Sequence, residues 1–74
     1  MHYMRTPIAT GTGMKLDPAM WTVARLEEHR GRPIWFVQRQ STSSTHILDH
    51  YLELRRIWGP RAQIAIIKPN SMEN

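Results

Sequence analysis

His46, Asp49 and His50 fall at i, i+3 and i+4, a spacing that brings two imidazoles and a carboxylate to one side of a helix. Three such groups fall short of the four ligands of a structural zinc site, and the chain has no cysteine and no second His cluster to complete one. The group therefore reads as a solvated helix face. The hydroxyls between Ser41 and Thr45 lack a base that a third group orients, which nucleophilic catalysis needs. Glu27 and Glu28 are adjacent, so a strand points them to opposite faces and they cannot act as a carboxylate pair. Thr10-Gly11-Thr12-Gly13 lacks the Gly-Lys-Ser/Thr ending of a phosphate loop. No catalytic, cofactor-binding or metal-binding residue is assigned, and the chain is expected not to be an enzyme.

The remaining chemistry is recognition. Ten Lys+Arg against six Asp+Glu give a net charge of +4, and most of the cations are arginine. Arginine presents a planar fork of donors and suits phosphate, carboxylate and interface contacts better than lysine does. The expected partner surface is acidic, either nucleic acid or an acidic patch of a protein. Arg30 and Arg32, with Arg25, Arg39, Arg55, Arg56 and Arg61, would make a phosphate-contacting stripe beside Trp rings able to stack on bases. No RNP aromatic motif, GXXG loop or helix-turn-helix spacing accompanies them. A small basic nucleic-acid-binding module is thus the alternative reading, along with a phage anti-defence protein.

The 74 residues suit a single domain. Absence of cysteine fits a reducing cytoplasm, no apolar run approaches the ~18 residues of a membrane span, and Met1 to Met14 lacks the apolar stretch of a signal peptide. The expectation is a soluble protein of the cytoplasm with no membrane partner and no small-molecule substrate.

The elements that would position these side chains read in the order strand, strand, helix, strand. Residues 1–19, broken by Pro7, Gly11, Gly13 and Pro18, are expected to be a flexible N-terminal arm. Met20–Glu27 and Ile34–Arg39 are rich in β-formers and flank a break at His29-Arg30-Gly31-Arg32, the pattern of a hairpin. A capping run at Ser43–Thr45 opens a helix to Trp58, with Ile47, Tyr51, Leu54 and Trp58 on one stripe that Leu48 and Ile57 widen. Gly59-Pro60 stops it. Ala62–Lys68 is the third strand, and residues 70–74 are a C-terminal tail. The fold class is α+β: a ββαβ domain over 20–69, three strands with one helix on a single face.

One helix cannot cover both faces of this hairpin, because both are apolar. If Leu26 pairs with Ile34 and Ala24 with Phe36 toward the helix, then Trp21, Val23, Arg25, Trp35, Val37 and Arg39 share the opposite face. A slip of one residue exchanges Trp35 and Val37 for Ile34 and Phe36 without removing the problem. Two readings stay open: the arm folds back with Tyr3, Ile8 or Leu16 over the second face, or that face docks a partner. Large apolar patches interleaved with arginine are rare on monomers unless used, and Trp and Arg are enriched at binding hot spots. The candidate partner-binding set is Trp21, Val23, Arg25, Arg30, Arg32, Trp35, Val37 and Arg39.

The stretches Met20-Trp21-Thr22-Val23-Ala24-Arg25 through Arg32-Pro33-Ile34-Trp35-Phe36-Val37, and Asp49-His50-Tyr51-Leu52-Glu53-Leu54-Arg55-Arg56-Ile57-Trp58-Gly59-Pro60, resemble the small transcription regulators of lytic Xanthomonas phage. The resemblance implies binding to host RNA polymerase near the RNA exit channel of the largest subunit. It also implies inhibited initiation through displacement of the sigma factor, antitermination, and residence in the host bacterial cytoplasm. No contact residue transfers from it one by one.

Overall fold

The computed structural model describes residues 8–9 and 16–70. It is an α+β arrangement of β1 (Ile8–Ala9), β2 (Trp21–His29), β3 (Arg32–Ser41), α1 (Ser44–Trp58) and β4 (Ile64–Ile67). The strands form one mixed sheet in the order β1-β3-β2-β4. β2 runs antiparallel to both of its neighbours, so β3 and β4 run parallel, and α1 is the crossover between them. Among the described residues no helix is long and apolar enough to cross a membrane.

Local chemistry explains the helix ends. Ser43 is the N-cap, and its hydroxyl accepts from the His46 amide at 3.3 Å. At the other end Gly59, with φ 85°, donates its amide to the Arg55 carbonyl at 2.9 Å, a backbone conformation that favours glycine. Arg55 then clasps the turn into β4. Its guanidinium donates to the carbonyls of Gly59, Pro60 and Ala62 and to the Tyr51 hydroxyl. Expected in a phosphate-contacting stripe, it is instead committed to holding its own chain.

The core lies between α1 and the sheet. Val23, Ile47, Leu54 and Ile64 are buried together, with Trp21, Tyr51, Ala62 and Ile66 packed around them. Of the expected stripe, Ile47, Tyr51 and Leu54 face inward, while Trp58 at its end is 37% exposed. Leu48 and Ile57 do not join it: they are 48% and 63% exposed, on opposite flanks of the helix.

One expectation is corrected and one open choice is decided. The sheet has four strands, because Ile8 and Ala9 pair in parallel with Trp35 and Phe36. So short a bridge, joined by no tight turn, leaves no local sequence signal. The rest of the expected arm up to residue 15, Tyr3 included, and the tail 71–74 lie outside the described residues.

The hairpin register, left open by the sequence between two pairings, is the slipped one. His29 pairs with Arg32, Leu26 with Trp35 and Ala24 with Val37, one step away from the pairing of Leu26 with Ile34. The cause is the turn. Arg30 and Gly31 both have positive φ, 53° and 78°, the conformation of a two-residue type I′ loop. An arginine in its first position does not announce such a loop as asparagine or aspartate would. Between Val23 and Ala24 the register shifts again, leaving Gln38 as the extra residue of a bulge.

In consequence Trp21, Val23 and Arg25 face the helix with Ile34, Phe36 and Arg39, while Ala24, Leu26, Trp35 and Val37 lie on the far face. Replacing Leu54 with Ala is expected to cost about 2–5 kcal/mol in urea unfolding, and Ile57 with Ala no more than about 0.5 kcal/mol. Equal losses would place Ile57 in the core.

Candidate functional site

Among the described residues, the hairpin is longer than the β4 and α1 that cover it. β4 pairs with β2 only from Thr22 to Arg25, with one further main-chain bond from the Leu26 amide to Gln63. The helix ends where Trp58 meets Arg25, whose guanidinium lies 4.8 Å from the indole centroid. Four more residues of β2 follow, about 13 Å of strand at a normal rise. This distal half, 26–35 with the Arg30-Gly31 turn, carries the candidate site.

Its helix-side face is an alternation of charge and ring. Arg25 is ion-paired with Glu27, and the Glu27 carboxylate lies 3.3 Å from His29 Nε2. The His29 ring leans on Phe36, with centroids 5.2 Å apart at 50°. Glu27 thus answers the two basic groups beside it and leaves the charge farther out, on Arg30 and Arg32, to the solvent. Both arginines are exposed. The far side offers Leu26, Pro33 and Trp35, with Ile8 in register beside Trp35. Pro33 stands opposite Glu28, at a pair whose main-chain groups point away from the partner strand, so the ladder loses no donor there.

The eight predicted binding residues do not form one surface. Val23 and Val37 are buried, on opposite faces. Trp21 packs against the core and Arg25 is held by Glu27 and Trp58. Because of the bulge, Arg39 parts from Val37 and lies toward the helix, in a shallow open depression with His46, Asp49, His50 and Glu53. Arg30 and Arg32 share the tip, and Trp35 lies close by on the far face. Among the described residues, no three His, Cys, Asp or Glu side chains are grouped to hold a metal ion.

Sequence reasoning missed Trp58 as the lid on Arg25 and Phe36 as the support of His29. The first needs the hairpin and the helix end brought together. The second needs the register, and only the turn type would have supplied it.

At the far end of the sheet Gln40 donates to the Thr22 hydroxyl and to the Asp17 carbonyl, both at 2.8 Å, and the Asp17 amide donates back to its side-chain oxygen at 3.0 Å. These bonds satisfy the buried Thr22 and fasten residues 16–20 to the proximal end. The two ends of the hairpin therefore differ: one is tied down, the other projects.

No protein-family model matches the chain, and no curated protein or solved structure matches it. The resemblance to the phage regulators accordingly rests on the two quoted stretches alone.

Arg30 is a strained choice for a turn, since a non-glycine residue at positive φ costs on the order of 1–3 kcal/mol. Arg30→Gly is expected to raise the unfolding free energy by about 0.5–1 kcal/mol, after the greater flexibility of glycine in the unfolded chain is offset. A loss of stability in denaturant titration would instead assign Arg30 a stabilising contact within the fold.

Proposed function

We propose that the chain is a non-enzymatic regulator that docks on a large protein through the projecting half of its β2–β3 hairpin. The partner in this reading is bacterial RNA polymerase, with initiation inhibited and termination suppressed in the manner of a phage-encoded factor in the host cytoplasm. The observation that carries the docking element is the projection itself. Among the described residues, a strand pair that outruns β4 and the helix, tipped by two exposed arginines, contributes little to the core and reaches beyond it. The strained Arg30 supports the same reading, because a turn selected for stability alone would carry glycine or asparagine there. The choice of polymerase draws on the resemblance and on the net positive charge.

The arrangement favours protein over nucleic acid. Arg25 and Arg55 are spent on internal contacts, and Arg39 lies beside Asp49 and Glu53, so no continuous phosphate-tracking stripe runs across the described surface.

Titration of labelled protein with purified bacterial core RNA polymerase tests the reading. The wild-type chain should bind, and Arg30→Glu combined with Arg32→Glu should weaken binding about tenfold or more at unchanged melting temperature, each hot-spot residue being worth about 1 kcal/mol or more. Absence of wild-type binding, or equal binding by the double variant, would refute it. Binding to DNA or RNA instead, with a log–log salt slope of about −0.7 to −0.9 per phosphate contact, would assign the alternative.

A further inference from the structure

The outer edge of β4 is a second surface, separate from the hairpin tip. Among the described residues no strand lies beyond β4 in the sheet. The bond from the Leu26 amide to the Gln63 carbonyl sets the alternation of the β2–β4 ladder: residues 63, 65 and 67 turn their main-chain groups toward β2. The amides and carbonyls of Ile64 and Ile66 consequently point outward along the open edge.

The helix flank above that edge carries an exposed leucine. Leu48, 48% exposed, lies on the flank of α1 that carries Arg55, and Arg55 reaches the Ala62 carbonyl just before β4. Leu52, one turn on, turns outward into a depression with Asp49, Glu53 and Arg56. The depression of Arg39, His46 and His50 occupies the other flank, toward β3. At the two ends of the edge stand Arg61 and Lys68, both exposed.

We propose that this edge takes up an extended acidic peptide segment as an added strand. Ile64 and Ile66 supply main-chain bonds, Leu48 receives an apolar side chain, and Arg61 and Lys68 receive carboxylates at the ends. Charge decides between this occupant and a second copy of the chain. Antiparallel self-pairing of Ile64–Ile67 would carry Lys68 of one copy toward the Arg61 end of the other, and like charges placed opposite each other oppose pairing. An acidic strand meets the same ends with attraction. The inference does not depend on the identity of the hairpin's partner.

The test uses the full chain, isotope-labelled, and a capped probe peptide of sequence Glu-Val-Thr-Val-Thr-Glu. Adding the probe should shift the amide resonances of Ile64 and Ile66 and slow their exchange with solvent, while those of Arg30 and Arg32 stay in place. The same probe N-methylated on alternate residues should bind about threefold to tenfold more weakly for each main-chain bond it can no longer make. Replacing the two glutamates with lysine should weaken binding further. The idea fails if the probe leaves Ile64 and Ile66 unmoved at millimolar concentration, or if the N-methylated or lysine probe binds as well as the original. It fails equally if β4 resonances shift with protein concentration alone, which would make the occupant a second copy. The probe variants keep the test valid whether or not substitutions in β4 fold.

Discussion

Among the described residues, a hairpin with strands of nine and ten residues is held by a four-residue β4, the two-residue β1 and a single helix, and that mismatch of lengths sets the rest of the structure. Fifteen helical residues span about 22 Å, against about 30 Å for the nine of β2. Val23 and Ile47, both fully buried, mark the middle of the covered part. On the helix side hydrophobic burial is concentrated there, where α1, β2 and β4 overlap, and on the far face Ala24 and Val37 are buried beside it. Beyond Arg25 the chain relies on cross-strand pairs, on the run Arg25–Glu27–His29–Phe36, and on the turn. Such exposed ion pairs contribute little each, so the projecting half is stiffened more by its ladder than by its side chains.

Trp58 sits at the boundary between these two regimes. Its indole, 37% exposed, lies under the Arg25 guanidinium at the end of the helix. Burial leaves Arg25 Nε without a hydrogen-bond partner among the described residues. The indole face and the Glu27 carboxylate offset part of that cost. This contact joins the distal half of the hairpin to the end of the helix.

Much of the architecture was legible because its signals are local. Ser43 and Gly59-Pro60 bracket the helix, its inward stripe follows from a 3.6-residue period, and β-formers on both sides of Arg30-Gly31 announce the hairpin. The side of the sheet that the helix covers was not legible, because a period of two leaves every strand with an even chance of either face. Val23 and Ala24 are both apolar, so the pattern offered no choice between them. One residue of register then decided whether Trp35 or Phe36 faced the helix, and an unheralded type I′ turn decided the register. The bulge at Gln38 separated Val37 from Arg39, which alternation alone would have kept together. That Arg30 and Arg32 stand together at the exposed tip was legible because a turn places its residues at the surface whatever the register.

Amide hydrogen exchange under native conditions tests most directly whether cover and hairpin are mismatched. Glu27 and Ile34 pair beyond the reach of β4, whereas Ala24 and Ala65 pair in the middle of the sheet. The account predicts that the Glu27 and Ile34 amides open at a free energy lower by roughly 1–3 kcal/mol than those of Ala24 and Ala65, as a separate unit that frays from the turn inward. Equal opening free energies at all four positions would contradict it, and would mean that the hairpin is held along its whole length by a single cooperative core.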